Sequence, residues 1–130
     1  MANPTEPRGH LALRTVAMPA DTNANGDIFG GWLVSRMDMA TGIEARQLAK
    51  SRVVTVSIDN LVFIKPVFVG DTVSCYAELL KVGRTSMQYR IEVWTDPFQP
   101  MDNTESLKVA EGIFTFVAID GTGKPQAVKR

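Results

Sequence analysis

Asp38 stands between two methionines in "SRMDMATG", residues 35–42. Apolar residues around it recur at helical spacing. On a wheel of 100° per residue, Val34, Met37, Thr41, Ala45, Leu48 and Ala49 share one face, and Asp38 falls on it close to Ala45. Arg36, Arg46, Gln47 and Lys50 lie opposite, with Trp32, Met39 and Ile43 among them. A carboxylate on an apolar face needs a partner, or its pKa shifts and it neutralises. Its helical neighbours Val34, Ser35, Thr41 and Gly42 include no cation, although Ser35 and Thr41 offer hydroxyls and Gly42 leaves a gap. Two readings follow. Asp38 hydrogen-bonds a backbone group from another segment and locks the fold, or it is a general base or nucleophile in a partly dry pocket.

The segment before the helix, "NANGDIFGGW" (23–32), is neither a Walker A loop nor a dinucleotide-binding fingerprint, because Trp32 follows Gly31 and the glycine spacing is wrong. Asn25-Gly26 is a turn dipeptide, and Asp27 is a candidate helix cap. Gly30 and Gly31 fall at the helix start, where free N–H groups suit an anion or a developing oxyanion. Other catalytic systems lack their parts. His10 is the sole histidine and lies near the N-terminus, no G-x-S-x-G elbow is present, and Cys75 reads as a core residue. Hydrolytic chemistry would therefore rest on Asp38, with Asn23, Asp27 and the Gly31 N–H as candidate assistants.

The elements that must position these residues are few. Residues 1–9 read as a loose arm and residues 10–130 as one domain. "HLALRTVAM" (10–18) has strand composition, residues 19–30 form a loop, and a helix runs from about Gly31 to Lys50. The period then changes to two. "RVVTVSID" (52–59) and "LVFIKPVF" (61–68) read as strands, with Lys65-Pro66 marking a sheet rim. In 72–82, Val73, Cys75, Ala77 and Leu79 alternate with Thr72, Ser74, Tyr76 and Glu78; in 83–95, Met87, Tyr89, Ile91 and Val93 alternate with Ser86, Gln88, Arg90 and Glu92. Gly83 links these two as a hairpin whose tip carries Arg84, Thr85 and Ser86, and Arg84 or Lys65 could meet a phosphate. Residues 96–106 read as a loop and 107–120 as the last strand. Short links favour antiparallel pairing, so the class is α+β: a five- to six-stranded antiparallel sheet with one long helix on one face.

The 130 residues are 45% apolar, with a formal net charge of zero. That excludes a basic nucleic-acid footprint. One cysteine and one histidine exclude a disulfide and a Cys- or His-rich metal site, so no metal or other cofactor is expected. No apolar run reaches the ~18 residues needed to cross a bilayer, and the N-terminus lacks a signal-peptide core, so a cytoplasmic protein with no membrane partner is expected.

"LRTVAMPADTNANGDIFGGWLVSRMDMA", "RVVTVSIDNLVFIKPVFVGDTVSCYAELLKVGRTS", "IEVW" and "AEGIFTFVAID" together resemble the bacterial YciA-type acyl-CoA thioesterases over residues 11 to 127. The resemblance implies a hot-dog fold, in which a long central helix is wrapped by the sheet. It implies hydrolysis of acyl-CoA to coenzyme A and a carboxylic acid over a broad chain-length range. It implies active sites between subunits of a homo-oligomer, at least a dimer and commonly a trimer of dimers. Asp38 corresponds to the catalytic carboxylate, and Asn23 and Asp27 would line the pocket from the partner subunit. Gly30 and Gly31 would supply the carbonyl-binding N–H. The matches to "RVVT", "FIKP" and "GRTS" imply coenzyme A contacts at Val54, Thr55, Lys65, Pro66, Arg84, Thr85 and Ser86. Many relatives have "MGG" after the acidic residue where this chain has Met39-Ala40-Thr41-Gly42, so Ala40 and Thr41 are expected to narrow the acyl tunnel.

Overall fold

The computed structural model of the chain describes residues 6–98 and 105–129. The expected arm at 1–9 and loop at 96–106 therefore fall partly outside the described residues. The elements are β1 (His10–Val16), a single 3-10 turn (Pro19–Asp21), α1 (Gly30–Ala49), β2 (Arg52–Phe63), β3 (Thr72–Val82), β4 (Ser86–Asp96) and β5 (Leu107–Ile119). The strands form one antiparallel sheet in the order β1-β3-β4-β5-β2. α1 lies across one face of it and touches every strand.

The helix packs by the stripe its spacing foretells. Met37, Thr41, Ala45 and Ala49 are fully buried, and Trp32, Leu33 and Ala40 widen the stripe. Ala40, Ala45 and Ala49 let the helix axis approach the sheet closely. Opposite them stand Val73, Cys75, Ala77, Met87, Ile91, Val93, Phe114 and Ala118. Full burial of a side chain such as Met37 or Phe114 contributes about 1.5–3 kcal/mol. α1 ends at Lys50, whose φ of 55° is left-handed and whose N–H closes on the Arg46 carbonyl.

Three local expectations change. The helix N-cap is Phe29, without a side-chain cap, so Asp27 does not cap α1. "LVFIKPVF" is not a separate strand. β2 runs unbroken to Phe63 through a bulge between Asp59 and Val62, where Asn60 takes a φ of 52°. The chain then leaves the sheet at Ile64 to Val67, as Lys65-Pro66 requires. Leu79 keeps its inward register opposite Tyr89 but stays 44% exposed, because it borders a cleft and not the sealed core.

The outer face of the sheet is not simply solvated. Glu92, on the polar set of β4, is fully buried. The Arg8 guanidinium donates to it at 2.6 Å, the Trp94 indole N–H at 2.9 Å, and Lys108 lies 3.5 Å away. Burial pushes the Glu92 pKa up, but the bonds from Trp94 and Arg8 and the Lys108 charge outweigh it and hold the group below the usual carboxylate range. This cluster ties the end of the N-terminal arm to the sheet.

β2 is the last strand of the sheet and has no partner on its outer edge among the described residues. That edge is apolar: Val56, Val62 and Phe63 are 54%, 52% and 50% exposed. Long, exposed, hydrophobic edges are templates for pairing with another chain.

Candidate active site

Asp38 is half-buried, not sealed in the core as its wheel position suggests. The reason is topological. The flank of α1 that carries it lies over β2, and beyond β2 the described residues hold no further strand to close over it. Its partner comes from that strand: the Thr55 hydroxyl donates to Asp38 Oδ1 at 2.7 Å. Ser35 and Thr41, the donors expected from the helix itself, are occupied by the carbonyls of Trp32 and Met37. No cation pairs with Asp38 among the described residues.

Asp38 opens into a cleft of about 520 Å³ lined by Met39, Gly42, Ile43, Arg46, Val53, Val54, Thr55 and Phe116. The gap at Gly42 is real, since a Cβ there would stand 3.6 Å from the Phe116 ring, an ordinary contact. Ala40 and Thr41 are fully buried toward the sheet and do not line this cleft. Within one protomer its width is set instead by Met39, Gly42 and Ile43. The wheel places Arg46 opposite the apolar stripe. It lines the cleft two turns beyond Asp38 and forms no ion pair among the described residues. Nothing in the spacing distinguishes it from Lys50 or Arg36; only the open edge of the sheet does.

The helix start forms a second place. The N–H groups of Gly30 and Gly31 find no carbonyl among the described residues. Gly30 lies against Phe63, whose ring would be 2.9 Å from a Cβ added there, so a larger residue fits only by displacing that half-exposed ring. A cleft of about 490 Å³ runs past Gly30, Leu33, Phe63, Lys65, Pro66 and Val67. Asn23 and Asp27 sit exposed in the turn just before it. Asn23 Oδ1 accepts from the N–H groups of Asn25 and Asp27 and holds that turn.

The hairpin tip is a third place. Gly83 N–H donates to the Ser86 carbonyl, the Thr85 carbonyl accepts from Ala118 and the Arg84 carbonyl from Val128, so the tip is fixed while the Arg84 side chain stays exposed.

One chain thus joins Asp38 with Val54 and Thr55, and Gly30 with Lys65 and Pro66, but does not join the two sets. Gly31 and Asp38 are seven residues apart on α1, which is about 10 Å along the axis at 1.5 Å per residue. A base and an oxyanion donor serving one carbonyl must each reach within about 3 Å of the reacting atoms.

The thioesterase superfamily profile matches residues 25–98, which include α1, β2, β3 and β4. The chain belongs to the thioesterase superfamily. It is 50% identical over 122 residues to the acyl-CoA thioester hydrolase YciA of Escherichia coli, covering 94% of this chain and 92% of that protein. Among solved structures, an aspartate-to-alanine mutant of HI0827, a hexameric broad-specificity acyl-coenzyme A thioesterase, matches with a TM-score of 0.90 and 49% identity over 95% of this chain and 88% of that one. The hexameric thioesterase y2039 of Yersinia pestis matches with a TM-score of 0.91 and 50% identity, over 96% of this chain and all of that one. The long helix on a five-stranded antiparallel sheet is the hot-dog arrangement of this thioesterase family.

Among the described residues, the Thr55 hydroxyl makes the one side-chain hydrogen bond to the Asp38 carboxylate. Thr55→Val should lower kcat about tenfold with little change in KM, as expected from losing one hydrogen bond to a charged group. Thr55→Ser should restore most of it. Steady-state kinetics on an acyl-CoA check both; an unchanged kcat in the valine variant would remove Thr55 from the site.

Proposed function

We propose that the protein hydrolyses acyl-CoA thioesters to coenzyme A and a carboxylic acid, at a site built from two copies of the chain. Asp38 and Thr55 come from one copy. The Gly30 and Gly31 N–H groups, with Asn23 and Asp27, come from the other. The observation that carries this is the separation of about 10 Å between Asp38 and the helix start. In one chain Asp38 and Gly30 also open into separate clefts, so neither cleft presents both to one carbonyl. The apolar outer edge of β2, which borders the Asp38 cleft, supports assembly through that edge, and the hexameric relatives support a trimer of dimers.

In this arrangement the thioester carbonyl oxygen accepts hydrogen bonds from the helix start, which stabilise the oxyanion as it develops. Asp38 either takes a proton from water as the water oxygen bonds to the carbonyl carbon, or attacks that carbon to give an anhydride that water opens. On the first route the C–S bond breaks as the tetrahedral intermediate collapses and the sulfur leaves with the proton held by Asp38; on the second it breaks as the anhydride forms, before water opens it, and the sulfur takes its proton from water. The acyl chain lies along Met39, Gly42, Ile43 and Phe116. Lys65 and Pro66 beside Gly30, and Arg84, Thr85 and Ser86 at the hairpin tip, are the groups we assign to coenzyme A. Val54 borders the Asp38 cleft, and Thr55 holds Asp38. No helix of the described residues is long and apolar enough to cross a membrane.

The test is release of free thiol from acetyl-, butyryl- and palmitoyl-CoA, read colorimetrically. Turnover on more than one chain length is expected. Binding of all three without thiol release would instead make the protein an acyl-CoA sensor. That reading loses ground to Asp38, because a pure binder gains nothing from an uncompensated carboxylate beside an apolar cleft.

A further inference from the structure

A third cleft, on the other flank of α1 from Asp38, takes no part in the reading above. Glu44, Gln47 and Leu48 of α1 line it with His10 of β1, Ala77 and Leu79 of β3, and Tyr89 of β4, around about 400 Å³. Asp38 and Glu44 are six residues apart, about 240° around the helix, so the two clefts do not meet across α1.

Its polar groups are poised but only partly used. Tyr89 is 4% exposed, and its hydroxyl has no hydrogen-bond partner among the described residues. It is not sealed off either, because no buried polar side-chain atom is left unpaired; the hydroxyl opens to the cleft. The Glu44 side chain is 11% exposed, and only Oε1 is engaged, by His10 Nε2 at 2.7 Å. His10 itself is 70% exposed and stands at the mouth. Oε2 of Glu44 accepts nothing from the described residues. Burial, and after it the Glu44 charge, push the Tyr89 phenol up to about 12, so it stays protonated and neutral. The walls between these groups are the aliphatic side chains of Leu48, Ala77 and Leu79 and the Tyr89 ring.

We propose that this cleft binds a small primary alkylammonium. The ligand's N–H groups would donate to Glu44 Oε2 and to the Tyr89 oxygen. Its alkyl stem would cover Leu48 and Leu79, which explains why an inward-register leucine is left in the open. The mostly buried carboxylate repels anions. A neutral alcohol can donate to Glu44 and accept from the Tyr89 hydroxyl, but it brings no charge to match Glu44.

Calorimetric titration of the full chain with n-butylammonium chloride, butan-1-ol and sodium butyrate tests this. Saturable butylammonium binding with a Kd near about 1 mM is expected, the scale set by a ligand of five heavy atoms. Butanol and butyrate should bind at least about tenfold more weakly. Glu44→Gln should raise the butylammonium Kd about tenfold or more, and Tyr89→Phe about threefold. Both substitutions keep the side-chain shape, and both variants should hydrolyse acyl-CoA as the wild type does. Absence of butylammonium binding, equal binding of butanol, or a Kd unchanged in Glu44→Gln would overturn the proposal. None of these outcomes bears on the thioesterase reading.

Discussion

Asp38→Ala is expected to lower kcat on butyryl-CoA about a thousandfold, the scale of losing a general base, and to leave the fold intact. The structure separates the two effects. Asp38 is half-buried and makes one side-chain hydrogen bond, to a Thr55 hydroxyl on an exposed strand position. Removing the carboxylate strands no buried charge and lets water reach Thr55, so the stability cost stays within about 1 kcal/mol. The cleft floor of Gly42 and Phe116 is untouched. Asp38→Asn is the sharper variant. It keeps the shape and a carbonyl acceptor for Thr55 but has no basic oxygen, and it should be as inactive as the alanine. Steady-state thiol release with a thermal melt on the same samples checks both. An active asparagine variant with a normal melt would take Asp38 out of the chemistry.

Much of the fold is legible in the sequence because its signals are local. The period of 3.6 over Val34 to Ala49 selects the buried stripe of α1, and the period of two over Val73 to Val93 selects the inner face of the β3–β4 hairpin. Gly83 marks the turn correctly. What the sequence hides is tertiary. Asp38's partner is not at i±3 or i±4 but 17 residues on, in β2. Its half-exposure depends on β2 being the sheet's last strand, and strand order is not written in any one segment. The bulge at Asn60 lets β2 run past the point where composition suggested a break. Glu92 reads as solvent-facing until Arg8, some eighty residues away in sequence, comes down over it.

The candidate site divides the same way. The residue types at Asp38, Gly30 and Gly31 name a base and an oxyanion cradle on one helix, and the sequence reading pairs them naturally. Within one chain they lie about 10 Å apart along the axis, and Asp38 and Gly30 line separate clefts. The resemblance implied a site shared between subunits, and the separation gives that expectation a physical reason. The acyl-cleft lining moved too, from Ala40 and Thr41 to Met39, Gly42 and Ile43. Residues adjacent in sequence lie on different sides of the helix, and only the sheet decides which side stays open.

The second large effect follows from the shared site and tests it most directly. Two inactive variants are prepared, Asp38→Asn and Gly31→Pro, the latter removing the helix-start N–H at a position where proline fits the first turn. Each alone should be dead, because every site contains one damaged half. Co-expressed in equal amounts with separable tags, they form mixed dimers. In each mixed dimer one site takes Asp38 from one chain and the intact Gly31 from the other. Random two-fold pairing then leaves about a quarter of all sites whole, so activity should return to about a quarter of wild type. If both halves of the site belonged to one chain, no mixture could rebuild it, and activity would stay at the level of the single variants.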